Sequence, residues 1–398
     1  MFHGRERGTA FGIWGAVTGG SVAVGPLVGG ALTRGVGWEA IFFVNVPIGV
    51  AAIALAQLKL AEAETAARGR IDWPGLLTFS TGLFCFVLAL IEGNDRGWGS
   101  TRIVALFTAA VVLLAAFVVL EHRRRDPMLD LTLFRKPAFG GASIAAFVLS
   151  AAMFSLFLYL TLYVQDILGY DPLETGLRFL PSTLLSFLVA PIAGRLSARV
   201  PVRGLLGGGL LLVGVGLILI SGLDARSSWT ALLPGFILTG AGIGLVNPPL
   251  ASTAIAVVPP ARAGMASGIN TTFRQVGIAT GVAGYGAIFQ HQVTQKITAA
   301  LGSTPFAGRA HQFADAVYAG ASREAIAAAP PRAHAQLERV AATGFTSGLN
   351  QLVIIGAVIS IVGALLSFAL VRQRDFAEAQ SGATPPAPES QPEPAAAT

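Results

Sequence analysis

Any chemistry this sequence could perform starts from Arg274, which lies inside the otherwise uncharged stretch 263–290. Asn270 precedes it by one helical turn on the same face, and Gln275 is adjacent. A guanidinium at membrane depth is costly and is normally held toward a bundle interior by polar partners. Such a group can organise a structure, gate a pathway or touch a polar substrate. The residues missing from these stretches say as much. The 21 acidic residues fall outside the long apolar stretches or at their ends, with Glu92 and Asp166 nearest. His3, His122, His291, His311 and His334 lie in connecting segments, and Cys85 is the only cysteine. No stretch gathers a nucleophile, a base and metal ligands, so neither an enzyme, a metal nor another cofactor is expected. A proton-driven carrier needs a carboxylate or histidine within the membrane whose affinity for protons can be moved, and the spans hold none.

The elements that must position Arg274 follow from composition. Only 12% of 398 residues are charged, 53% are hydrophobic, and mean hydropathy is +0.66. That is about half the charged share of a soluble domain, so lipid must be the solvent for much of the surface. The net charge of +6 does not point to nucleic acid, because the basic residues sit in short clusters between apolar runs. A crossing of the hydrocarbon takes roughly 20 residues. Eight charge-free stretches suffice: 8–33, 40–58, 73–91, 103–120, 137–165, 204–223, 227–261 and 340–371. Two more carry one arginine each, 175–194 with Arg178 and 263–290 with Arg274. The expectation is an all-α integral membrane protein with about ten transmembrane helices.

Basic residues orient the array. With the N-terminus in the cytoplasm and the spans alternating, 16 of the 27 Lys and Arg residues fall inside and five in short outer segments. This bias is the positive-inside pattern, and it places both termini in the cytoplasm of a multi-pass inner-membrane protein. Residues 1–7 lead into an uncharged run with no short apolar core and cleavage site, which argues against a removed signal peptide. The Ala-rich outer segment that begins at 291 suits an amphipathic helix or a mobile stretch, and the Pro- and Glu-rich tail is expected to be disordered.

In the first span Ser21, Gly25 and Gly29 fall four apart on one face, with Pro26 breaking a hydrogen bond mid-span and Gly30 next along. Small residues at that spacing let a second helix backbone approach closely. The stretch resembles the antiporter motif of major facilitator drug exporters, G-x-x-x-G-P-x-x-G-G in their fifth helix, with Ser21 for the first glycine. The segment from Trp38-Glu39 through Asn45-Val46-Pro47-Ile48-Gly49 is similar to the sixth helix of fourteen-helix drug/proton antiporters of the EmrB/QacA type. Further similarity runs through Asp72-Trp73-Pro74-Gly75, Glu92-Gly93, Gly97-Trp98, Pro127-Met128-Leu129, Tyr163-Val164-Gln165, Leu168-Gly169, Thr175-Gly176-Leu177, Pro181, Gly264-Met265-Ala266-Ser267-Gly268 and Arg274-Gln275-Val276-Gly277. Gly194, Arg195, Arg199 and Arg203 resemble the superfamily's G-x-x-x-D-R-x-G-R-R loop, which latches the two halves, although Ala198 stands where the acid belongs and Pro201 at the second glycine.

The resemblance implies a major facilitator fold with an incomplete N-terminal bundle, the chain beginning just before the family's fifth helix. Residues 1–58 would be the remnant of that bundle and 59–136 two linking helices. Residues 137–372 would be the C-terminal six-helix bundle with an outer segment 291–343, and 373–398 the tail. The implied function is export of hydrophobic or cationic drugs by proton antiport, with lipid, protons and a periplasmic adaptor protein as partners. The coupling acid would lie in the family's first helix, so the chain as given would be inactive alone. A metabolite permease of the same superfamily, and a non-transporting membrane relic or assembly partner, are the alternatives. Cysteines replacing Ser100 and Thr304 should react with an impermeant thiol reagent outside sealed cells, and one replacing Ser197 should not. Labelling at position 197 would overturn the ten-span topology.

Overall fold

In hydrocarbon a backbone must satisfy its own N–H and C=O groups, and a helix does so within one segment. The computed structural model describes residues 24–59, 72–124, 127–197, 199–256 and 263–372, with Val17, Ser21 and Val258. Every regular element among them is helical. In chain order these are α1 (24–35), α2 (Ala40–Lys59), α3 (Trp73–Arg96), α4 (Thr101–Arg123), α5 (Pro137–Ile167) and α6 (Pro172–Leu196). They continue with α7 (Val202–Ile220), α8 (Leu233–Ala256), α9 (Ala263–Leu301), α10 (Ala310–Tyr318), α11 (Ser322–Ala327) and α12 (His334–Leu370).

Among the described residues eight helices are long and apolar enough to cross a membrane: α2 to α8 and α12. The other two expected spans differ for separate reasons. Most of the first half of 8–33 lies outside the described residues, as do Ala198 and the tail 373–398. Helix α9 is long enough, but Asn270, Arg274, Gln275 and its C-terminal polar residues dilute its hydropathy.

Helix α8 sits between α6 and α7 and uses a different glycine face for each. Toward α7, a Cβ on Gly242 would stand 2.5 Å from the Gly209 carbonyl oxygen, and one on Gly235 would stand 2.5 Å from that of Gly216. Toward α6, Gly244 lies against the Ser186 carbonyl at 2.6 Å, and Gly240 against that of Ser182. The pair Gly240 and Gly244 meets Ser182 and Ser186, four apart on both sides, so the two backbones run in contact. Helix α9 reaches α5 in the same way: a Cβ on Gly277 would meet the Phe147 carbonyl at 2.5 Å, and one on Gly281 that of Ala151 at 2.6 Å. Helix α12 closes the group against α5, α7 and α9. The fully buried Phe139, Phe236, Phe289, Phe345 and Tyr163 fill its interior.

Two π-turns, Ser150–Phe154 and Tyr163–Ile167, interrupt α5. The second ends as the Leu168 N–H donates to the Tyr163 carbonyl at 2.9 Å, and Gly169 follows at φ +87°, a left-handed stop that favours glycine. Helices α3 and α4 pair as a hairpin, and α3 lies against α9. No residue of α2 is buried. The outer segment 291–343 is largely helical. Helix α9 runs on through Gln290 to Leu301, and α12 already begins at His334, so it is two helix extensions bridged by α10 and α11.

A side chain at Gly242 would push on backbone, which cannot rotate away. Gly242→Leu should therefore destabilise the folded protein by about 1–3 kcal/mol, whereas Gly208→Ala, with open space beside it, should be near neutral. Thermal unfolding of the two variants in detergent checks this.

Candidate functional site

Arg274 sits half-buried on α9, and its Nη1 donates to Asn247 Oδ1 on α8 at 3.3 Å. Its guanidinium carbon stands 5.7 Å from the centre of the Phe154 ring, within cation–π range. Asn270 is buried one turn earlier, and its Nδ2 has no hydrogen-bond partner among the described residues. Gln275, adjacent in sequence, is exposed. The structure thus gathers Arg274 and Asn270 on one face with Asn247 opposite, and sends Gln275 elsewhere.

Both walls opposite Arg274 are interrupted helices. Phe154 closes the first π-turn of α5, a rare geometry frequent at functional sites. Asn247 is followed by Pro248 and Pro249, which lack the N–H groups that would bond the Gly244 and Leu245 carbonyls. From Phe154 a run of ring contacts passes through Phe157 at 6.4 Å to Phe179 at 5.5 Å and Phe236 at 5.2 Å. The run leads from the half-buried Phe154 and Phe157 into the core at Phe179 and Phe236, and Arg274 has no ion-pair partner among the described residues.

The antiporter-motif residues divide. Gly30 is buried where α1 crosses the start of α6, and a Cβ there would stand 2.5 Å from the Pro172 carbonyl oxygen. The contact is reciprocal, because a Cβ on Gly176 would stand 2.5 Å from the Pro26 carbonyl oxygen. Arg34 reinforces the crossing through a 3.0 Å ion pair with Asp171, which also caps α6. Beside Gly25 and Gly29 no described atom lies within 4 Å. Ser21 is exposed, its hydroxyl bonded to the Val17 carbonyl, and Asn45 and Pro47 are exposed on α2. Gly176 and Asn247 complete arrangements that the sequence reading did not assign. The signal for Asn247 was available, a lone amide before two prolines in an uncharged run; Gly176 needed its partner's position.

From the last turn of α6 to the first of α7, Gly194 is buried while Arg195, Arg199 and Arg203 are exposed. At the other end of the bundle a cavity of about 550 Å³ is lined by Asp166, Asp224, Arg323, His334, Glu338 and Arg339 among others. The Asp166 carbonyl accepts from Arg323 Nε at 3.0 Å, tying α11 to the end of α5. The Arg226 N–H and the Ser227 hydroxyl bond the exposed Asp224 carboxylate and hold it below the usual carboxylate range. Charges of both signs line this mouth, in contrast to the aromatic face beside Arg274.

Similarity to known proteins agrees with this architecture. The chain is 39% identical over 282 residues to the puromycin resistance protein pur8 of Streptomyces alboniger, covering 70% of this chain and 56% of that one. It is 35% identical over 284 residues to the multidrug resistance protein Stp of Mycobacterium tuberculosis, 71% and 53% of the two chains. With the tetracenomycin C resistance and export protein of Streptomyces glaucescens it shares 32% identity over 364 residues, 90% and 67%. The chain therefore spans about half to two-thirds of the length of these relatives. The family profile described as Major Facilitator Superfamily matches residues 1–282, and with those multi-pass apolar helices this chain belongs to the Major Facilitator Superfamily.

Proposed function

We propose that this chain carries the antiporter motif, the linking helices and the C-terminal half of a fourteen-helix drug/proton antiporter of the EmrB/QacA type. Its substrates would be hydrophobic or cationic small molecules, exported across the inner membrane in exchange for protons, with both termini cytoplasmic and a periplasmic adaptor as a candidate partner. In this reading 1–58 belongs to the N-terminal half, 59–136 links the halves, and 137–372 forms the C-terminal half. Relatives named for resistance and export support the substrate class. The observation that carries the mechanism is the reciprocal contact of Pro26 and Gly30 with Gly176 and Pro172.

A carrier of this superfamily works by rocking one bundle against the other around a shared site. The α1–α6 crossing is a place where a motif helix and a C-terminal helix touch backbone to backbone, so it can act as a pivot that opens only when the helices part. Of the aromatic run, the half-buried Phe154 and Phe157 are the rings a planar or cationic drug would meet, with Phe179 and Phe236 buried behind them. Arg274 repels a cation from its own end of that run, so a positively charged drug would be received by the rings and not at Asn247. The basic residues Arg195, Arg199 and Arg203 are assigned to the cytoplasmic side as topology anchors.

The test is genetic and uses the gene at its own locus. Deleting it should raise intracellular ethidium, and restoring it should return an efflux that an uncoupler abolishes; equal accumulation in all strains would sink the efflux reading. Restoring Gly176→Leu instead should cut efflux roughly tenfold or more at normal abundance, as expected for about 1–3 kcal/mol of overpacking at a backbone contact. Gly25→Ala should keep efflux within about twofold, since open space receives the methyl group.

A further inference from the structure

Asp72 and Glu121 come together at the open end of the α3–α4 hairpin, and both are buried, at 6% and 3% exposure. Asp72 Oδ1 accepts the Gly75 N–H at 2.8 Å as the cap of α3, and pairs with Arg124 Nη1 at 2.8 Å. Glu121 Oε2 accepts the Leu129 N–H at 3.0 Å. That leaves one oxygen on each carboxyl, Asp72 Oδ2 and Glu121 Oε1, buried with no donor in reach among the described residues. The two converge: a Cβ on Gly75 would stand 2.8 Å from Asp72 Oδ2 and 2.6 Å from Glu121 Oε1. Two ionised carboxylates have only acceptors to offer each other, so among the described residues the arrangement is satisfied when one of these oxygens carries hydrogen.

We propose that Asp72 and Glu121 share one proton, making a proton-binding site that fastens the α3–α4 hairpin to the segment entering the C-terminal bundle. The charges acting on Glu121 are Asp72 from α3 and Arg124 from the turn after α4. His122 and Arg123, next on α4, are exposed, and Asp130 on the outgoing loop turns its carboxylate to Thr132. With both acids ionised, the two buried carboxylates and the exposed Arg124 carry one net negative charge; one proton taken from water makes the group neutral. Its release returns the proton to water and sets two carboxylates against each other.

The site is mechanically connected. Glu121 holds Leu129, which packs on the C-terminal core, and the next N–H, of Asp130, reaches Met265 Sδ at 3.3 Å near the start of α9. Protonation at the hairpin therefore bears on the helix that carries Arg274. Arg124 already supplies the fixed positive charge beside Asp72, so a proton suits the remaining gap better than a metal cation does.

Infrared spectra of the purified chain in detergent test the assignment, and they require no transport, so the result stands apart from the efflux reading. The wild type should show the C=O band of a protonated carboxyl at neutral pH, lost in one step on alkaline titration. Both Glu121→Gln and Asp72→Asn should lack it, since either amide supplies the missing hydrogen itself. Melting temperature should fall in the wild type as pH rises through that step, because stability that depends on a bound proton is lost as the proton leaves. In Glu121→Gln it should stay flat across the same range. A carboxyl band that survives in both amide variants, or the same fall of melting temperature in Glu121→Gln as in the wild type, would overturn the shared proton.

Discussion

Close approach of helix backbones is the interaction on which this structure depends. In lipid an apolar side chain gains little by moving from hydrocarbon to a neighbouring helix, so packing must come from contact itself. Residues without a Cβ make that contact closest. Helix α8 shows the arrangement most fully, with Gly235 and Gly242 against α7 and Gly240 and Gly244 against α6. Because one helix is fixed on two sides, Asn247 a turn further on is fixed as well, and with it the partner of Arg274.

The polar site is built from departures from the regular helix. A π-turn positions Phe154, and two prolines follow Asn247. Each breaks the hydrogen-bond ladder, a loss that lipid cannot make good but a packed bundle interior can. Two such breaks, the Phe154 π-turn and Pro248–Pro249, flank the face where Arg274 meets Asn247 and the Phe154 ring.

Acids at helix starts do a second kind of work. Asp171 and Asp72 each cap a helix, where the positive end of the helix dipole favours a carboxylate, and each takes an arginine from another segment. They differ in what faces the remaining oxygen. Asp171 gives one oxygen to the Glu174 N–H and the other to Arg34, so it is satisfied as an anion. Asp72 puts its cap and its arginine on the same oxygen, which leaves the other for Glu121. The same local device thus makes a fixed clasp at one hairpin and a proton-dependent one at the other.

Class, approximate span number and the isolation of Arg274 were legible in the sequence, because each is set by solvent. Long runs without charge can only be spans, and a lone arginine within one must find polar company. Helix α9 shows the margin of that reading, since Asn270, Arg274 and Gln275 weaken its apolar signal. The partners were a different matter. Nothing in the spacing of Ser21, Gly25, Gly29 and Gly30 says that Gly30 meets a backbone while Gly25 faces open space. Helical periodicity gives a face, and only the crossing with α6 decides which residue on it is touched. Likewise Asp72 and Glu121 read as ordinary helix-end acids, solvated at the membrane surface. They come together through the pairing of α3 with α4, which joins positions 49 residues apart, and the Leu129 N–H then bonds Glu121; no local pattern encodes that pairing.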